Sequence, residues 1–464
     1  MIFTSYTYAS FLLATFLVHW CLPARARPYL LIAASYVFYA SWSWPYAFLL
    51  LALTLGNWAY ARFVLDRPDG EPGPLWPGIA MNIAVLVFFK YADFALENVA
   101  AVARLGGSDW QPRALNIILP LGVSFFTFQG VAYLIDVASG ERSFQRLRDF
   151  VLYKAFWPQL IAGPIIRPAE IREQLSVPRV LRYADISEGA RRILQGAFKK
   201  VVLADTLATQ VDLAFLHDAS PNMFDTLVGT LGFGFQIYFD FSGYSDIAIG
   251  SARLFGYTFP ENFARPYSAC SPQEFWNRWH MTLSRWIRDY LFTPLSMMMR
   301  SRPALQPLCL VIAMALCGLW HGAAWTFVLW GVWHGSALAL QRTLLRGVFA
   351  ASGNAARALQ WLLTIGIVFA GWLVFRAPSL HDLGVHLQAL FTLRGGLRPA
   401  LIRESGCLVI LLISGFAMLT TWLHALPLPR FLAGPWLRPA LYATVLVSVI
   451  TMDREATAFI YFQF

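Results

Sequence analysis

Apolar runs close to the length of a bilayer crossing recur from one end of this chain to the other. They constrain its fold more than any other feature. Crossing hydrocarbon takes about 20 apolar residues in a helix, because a helix satisfies its backbone groups internally. Candidate runs lie near 6–22, 29–43, 45–65, 76–103, 115–138, 225–255, 304–320, 324–345, 357–376, 405–424 and 438–452, about eleven in all. Only 13% of the residues are charged and 58% are hydrophobic, whereas soluble domains carry roughly 25% charge. So little charge cannot clothe a water-soluble surface of this length. The sequence predicts an all-α polytopic membrane protein, with its Trp residues anchoring helix ends at the interfaces. No long polar linker separates two halves, which predicts a single membrane domain over 1–464.

The net charge of +10 fits cytoplasmic loops rich in Lys and Arg, so membrane lipid rather than nucleic acid is the expected partner. No Lys or Arg precedes the first apolar run, which argues for a retained first span with its N-terminus outside. The loop "PARARP" is basic, "SWSWP" is uncharged and "ARFVLDRPDG" is basic again, as alternation predicts if the first loop is cytoplasmic. None of the five cysteines sits in a CxxC pair, so they read as small apolar side chains.

Two polar islands interrupt the pattern. Residues 141–200 hold twelve Lys and Arg against six acids, and "FWPQLIAGPIIRP" carries prolines that break any helix. Short amphipathic or re-entrant helices against the cytoplasmic face are expected there. The second island runs from Arg253 to Arg302. In it, Ser271, Pro272 and Glu274 form a helix-start signature. The following turns cluster Asn277, Arg278, Trp279 and Arg285 around His280.

Eight histidines are present. His381 and His386 fall in a polar connection and read as solvated. His19 and His424 sit near span ends beside Trp, and His217 falls in a loop. His280, His321 and His334 remain. His321 is flanked by Gly318, Gly322, Ala323 and Ala324, which allow close approach of a backbone or a thin ligand. A neutral imidazole at membrane depth suits a general base. On one helix, His334 would lie about 220° around from His321, so the two rings are expected on different faces. No HxxxH or HExxH spacing occurs, and a metal centre is not expected. The run "FGFQIYFDFSGYSDIAIG" puts Asp240, Tyr244 and Asp246 inside an apolar span. Its carboxylates need partners, and the arginines of the second island are the expected ones. Arg278 in particular is expected on Asp240 or Asp246.

At these residues the chain resembles the membrane-bound O-acyltransferase family, and more narrowly its bacterial branch of alginate O-acetylases and teichoic acid D-alanyl transfer proteins. The matching stretches run nearly end to end. They include "ASYVFYASW", "FFKYADF", "LPLGVSFFTFQGVAYLIDV", "QIYFDFSGYSDIAIGSARLFGY", "FWNRWHMTLSRWIRDYLFTPL", "GLWHGAAWTFVLWGVWHG", "GWLVFRA" and the terminal "FIYFQF". "FFKYADF" and "NFARPYSA" favour the alginate acetylase side. The resemblance implies a ring of about eleven tilted helices, with re-entrant and interfacial helices, around a central tunnel. It places the family's essential histidine on His321 and a second functional histidine on His280. Asp240, Tyr244, Asn277, Trp279, Arg285 and Trp325 are the expected tunnel-lining residues.

The activity so implied is transfer of acetyl groups from a cytoplasmic thioester across a bacterial inner membrane onto an extracytoplasmic polysaccharide. The polymer would be alginate or a related exopolysaccharide, with peptidoglycan as the alternative. Acetyl-CoA is the expected donor substrate, no permanently bound cofactor is expected, and a periplasmic SGNH-type acyltransferase is the expected partner. A transporter using Asp240 and Asp246 as a proton relay is the rival of a different class. Internal repeats common in transporters are not found.

Overall fold

The computed structural model describes residues 1–66, 73–161, 163–215, 221–392, 406–423 and 437–452. His217, His424 and the terminal "FIYFQF" lie outside them. The described residues are all-α, without a strand. Four helices among them are long and apolar enough to cross a membrane: Trp44–Leu65, Trp76–Leu105, Pro303–His321 and Asn354–Arg376. The other predicted runs also form helices, several of them shorter. The run 115–138 does so only from Val123. Pro112 and Pro120 disfavour helix in the residues before them, and Gly122 (φ 72°) begins the helix in the left-handed region.

The chain divides into two compact units, Met1–Arg191 with Ala248–Pro260, and Arg192–Ile247 with Glu261–Phe464. In the first unit, Val123–Ala138 is buried on nearly every face. Beside it, Asn57 and Asn82 exchange amide hydrogen bonds of 3.1 and 2.7 Å between neighbouring helices. Amide pairs of this kind join helices where hydrocarbon gives no hydrophobic drive to associate. The basic stretch of this unit folds as short helices, Leu147–Ala155, Trp157–Leu160 and Pro168–Ser176, broken as its prolines predict. Lys154 in the first of them is fully buried and donates to the Phe126 carbonyl.

The second unit is built on α1 (Pro272–Trp276), α2 (Met281–Ile287), α3 (Gln306–His321), α4 (Trp325–Arg342) and α5 (Asn354–Arg376). Helices α3 and α4 form a hairpin that turns at Gly322–Ala324. Glycines set its closeness. A Cβ on Gly318 would meet the Phe327 carbonyl oxygen at 2.0 Å, and one on Gly331 the Met314 carbonyl oxygen at 2.1 Å. The polar connection 380–392 is in fact a helix, and it buries Leu383, His386 and Ala389 at three-residue spacing. His386 is therefore not solvated: its Nδ1 lies 3.0 Å from Thr226 Oγ1, and its ring packs on Phe215. His381 is exposed, as expected.

Candidate active site

The three histidines of interest all lie in the second unit, and the helix break before α2 fixes the first of them. Ser271 caps α1 by accepting from the Glu274 N–H at 3.1 Å, and α1 ends at Trp276. The chain then turns through Asn277–Trp279, and His280 takes a left-handed conformation (φ 40°, ψ 54°) before α2 starts. A non-glycine residue there is uncommon and persists where its surroundings over-determine it. Here Asn262 supplies the determination. Its carbonyl oxygen accepts from the Met281 N–H at 2.9 Å. Its Oδ1 accepts from the Thr282 hydroxyl at 2.9 Å and the Thr282 N–H at 3.3 Å. The same Oδ1 sits 3.0 Å from His280 Nδ1.

That arrangement fixes the tautomer. A backbone N–H can only donate, so the atom facing Thr282 is the amide oxygen, and His280 Nδ1 must carry the proton. Nε2 then holds a lone pair. It is buried with no hydrogen-bond partner among the described residues. The ring is fully buried against Phe241 (centroids 4.5 Å) and Trp320 (6.3 Å), and burial pushes its pKa down to about 3. The imidazole is neutral, and it accepts a hydrogen bond rather than donating from Nε2.

Trp320 connects this ring to the next. Its indole lies 4.8 Å from the His321 ring, at the last residue of α3. His321 also packs on Trp330 (5.0 Å) and Phe375 (5.4 Å). His334 packs on the same Trp330 at 5.0 Å and on Trp276 at 5.2 Å. The expectation of opposed faces is corrected here. It counted residues around one helix, whereas the turn at Gly322–Ala324 brings both rings to one indole. Gly371 makes room for His334: a Cβ there would meet Nε2 at 2.5 Å. That Nε2 and the indole nitrogens of Trp276 and Trp330 are also buried without hydrogen-bond partners among the described residues.

A cavity of about 440 Å³ opens beside this cluster, between α1, α2, α3 and α4. Asn277 and Arg285 line it, with Trp276, Arg288, Cys317 and Arg342. The other expected lining residues lie elsewhere. Trp279 is buried in an aromatic wall against Trp372 (4.8 Å). Trp325 is 53% exposed at the start of α4. Asp240 and Tyr244 lie in a buried ion cluster on the helix Met223–Leu254.

The partners in that cluster correct a second expectation. Lys200 Nζ lies 3.1 Å from Asp240 and 2.7 Å from Asp205, and 5.8 Å from the Tyr244 ring centre. Asp246 binds Lys199 at 2.6 Å and Arg192 at 3.1 Å. The carboxylates thus take cations from the end of the first polar island. The π-helical turn Phe198–Ala204 carries both lysines, so that adjacent residues reach different carboxylates. Arg278 goes to neither aspartate. It pairs with Glu274 one turn back at 2.7 Å and reaches the Ala264 carbonyl at 3.3 Å. Among the described residues no group of three or more His, Cys, Asp and Glu gathers as a metal site.

The profile of the membrane-bound O-acyltransferase family matches residues 146–377. The chain is also 39% identical over 398 residues to a probable alginate O-acetylase of Azotobacter vinelandii, covering 84% of this chain and 78% of that protein. The chain belongs to the membrane-bound O-acyltransferase family. It is an acyltransferase and a multi-pass membrane protein. Within the family it is 34% identical over 422 residues to a peptidoglycan O-acetyltransferase of Helicobacter pylori, covering 83% of this chain and 79% of that protein. It is 32% identical over 220 residues to a teichoic acid D-alanyltransferase of Streptococcus thermophilus, covering 45% of this chain and 53% of that protein. His280, His321, Trp320 and Trp330 fall inside the matched segment, as does Asn262, which reading the sequence did not single out. A buried Asn ahead of the HMT turn has no local signal. Its role appears only once the chain folds back on residues 280–282.

Proposed function

We propose that this acyltransferase O-acetylates an extracytoplasmic polysaccharide, alginate or a related exopolysaccharide, with acetyl groups drawn from a cytoplasmic thioester across the bacterial inner membrane. The observation that carries the reading is the unpartnered Nε2 lone pair of His280, held by Asn262 one indole away from His321. His321 acts as general base on the attacking hydroxyl. His280 accepts a hydrogen bond at Nε2 and orients the reacting groups, a role its Nδ1 contact with Asn262 supports. Acetyl-CoA is the donor. Arg285, Arg288 and Arg342 on the cavity wall supply positive charge toward its phosphates. The architecture we attribute to the chain is the family's ring of about eleven tilted helices around a tunnel, with residues 141–200 on the cytoplasmic side. The acceptor is a sugar hydroxyl, reached directly or through a periplasmic SGNH-type acyltransferase.

The alginate assignment rests on the relative named for that polymer. Peptidoglycan is the second reading, favoured by the similarity to the Helicobacter pylori enzyme. The test is the O-acetyl content of both polymers in cells lacking this protein, beside release of CoA from acetyl-CoA by the purified protein. Loss from exopolysaccharide with peptidoglycan intact is the expected result. The reverse pattern would move the substrate to peptidoglycan, and absence of CoA release would remove the donor assignment. Cysteines placed at Arg172 and Arg182 should be shielded from an impermeant thiol reagent outside spheroplasts. Labelling there would reverse the topology.

A further inference from the structure

A second pocket lies wholly in the first unit, and the reaction above makes no use of it. It has a volume of about 160 Å³ and is lined by His19, Arg25, Arg27, Arg146, Arg148 and Arg179. Five arginines therefore line a space large enough for a tetrahedral oxyanion. Among the described residues one carboxylate relieves their mutual repulsion: Asp149 binds Arg148 at 2.9 Å.

Two of the cations are pinned and two are free. Arg27 donates to the Arg179 carbonyl at 2.9 Å and the Leu22 carbonyl at 3.0 Å, and lies over the Trp20 ring at 4.7 Å. Arg179 donates to the Gln174 carbonyl and lies over Tyr257 at 5.5 Å. Its Nε is buried and has no hydrogen-bond partner. The side chains of Arg25 and Arg146 are exposed and make no hydrogen bond or ion pair with the described residues. His19 is only 1% exposed, and both of its ring nitrogens lack partners. Its ring is held between Trp20 (4.8 Å) and Phe255 (5.1 Å). Two of the residues lining this basic pocket thus carry buried polar atoms without hydrogen-bond partners among the described residues. In folded proteins most buried polar groups have a hydrogen-bond partner.

We propose that this pocket is a phosphate-binding site, which takes the phosphate of an anionic lipid headgroup or of a soluble phosphate ester. Guanidinium groups pair with phosphate oxygens through two parallel hydrogen bonds, and a ring nitrogen of His19 supplies a further contact. The site stands on the geometry of the first unit and does not depend on the acetyl-transfer reading.

The test is thermal melting of the full-length protein in a neutral detergent. It is titrated separately with dioleoylphosphatidylglycerol, with adenosine 3′,5′-bisphosphate, and with zwitterionic dioleoylphosphatidylcholine as control. At least one anionic probe should raise Tm saturably, while the control does not. In Arg25→Gln/Arg146→Gln the half-saturating concentration should rise about tenfold or more, as expected for losing hydrogen bonds to a charged group. Both side chains are exposed and make no hydrogen bond or ion pair with the described residues, so the unliganded Tm should stay. If it falls, Arg25→Gln alone carries the comparison. A response to the lipid only assigns a headgroup site, and a response to the bisphosphate only assigns a soluble ester. A Tm unmoved by either probe, an equal response to phosphatidylcholine, or a double variant that binds like wild type would overturn the proposal.

Discussion

Two buried polar assemblies in the second unit solve the same problem in opposite ways. The cluster of Lys199, Lys200 and Arg192 with Asp205, Asp240 and Asp246 pairs every charge with an opposite one. The histidine cluster around Trp320 and Trp330 keeps His280 Nε2 and His334 Nε2 without hydrogen-bond partners among the described residues, inside an aromatic enclosure. Both arrangements cost free energy in a low-dielectric interior. In the first, ion pairing offsets the cost, so the assembly holds the helices together. In the second, the cost persists, which is expected where a substrate is to complete the hydrogen bonds. The proton-relay reading of Asp240 and Asp246 loses its footing on the same comparison, because both carboxylates are held by lysine.

The largest effect should come from the histidine cluster. His321→Ala should lower acetyl transfer by about 10²–10⁴-fold, the usual range for losing a general base, while the protein stays folded. Acetyl release per folded molecule is the measurement. Near-normal turnover would end the assignment and leave the two clusters without a functional difference.

The ion cluster should answer with stability instead. Lys200→Met removes the cation 3.1 Å from Asp240, whose side chain is 3% exposed. Leaving a buried charge unpaired costs about 3–5 kcal/mol. A large drop in Tm, with turnover per folded molecule kept, is expected. A stable Lys200→Met protein that has lost turnover would move this cluster into the chemistry.

How much of this was legible follows from the range of the forces involved. Hydropathy is local, and it located the helices from Tyr6–Cys21 to Leu437–Met452. The capped start at Ser271 and the small residues around His321 are local signals too, and both stand in the structure. The pairing of Asp246 with Lys199, 47 positions apart, is not local. Nothing in the spacing of charges separates it from the expected pairing with Arg278. His334 was misplaced for a related reason. The turn at Gly322–Ala324 interrupts an apolar stretch without a proline or a charge, so counting at 100° per residue runs straight through it.

A smaller effect tests the fit of His334. Gly371→Ala would put a methyl group 2.5 Å from its Nε2 unless the ring or α5 shifts. Overpacking of this kind costs about 1–3 kcal/mol. Because the displaced group is a ring of the histidine cluster, turnover should fall along with Tm. A fall in Tm alone would make His334 a packing residue.

The smallest effect is expected at Arg278, and it sharpens the boundary between the two assemblies. Had Arg278 neutralised Asp240 or Asp246, its removal would cost as much as that of Lys200. Its partner is Glu274, four residues back on the same short segment, and both side chains are 36% exposed. Water screens such a pair, and exposed pairs at this spacing contribute about 0.3–0.5 kcal/mol. Its contacts with the Ala264 carbonyl at 3.3 Å and Ser268 Oγ at 3.4 Å are long. Arg278→Ala should therefore shift Tm slightly and leave turnover near wild type, with Arg278→Lys closer still. Arg278 also sits two residues before His280, so the same variant reports on the left-handed turn. If that turn depends on Asn262 alone, the KM for acetyl-CoA stays unchanged in Arg278→Ala. A loss of several kcal/mol would restore a buried partner for Arg278. A raised KM with unchanged Tm would make it a ligand of the donor.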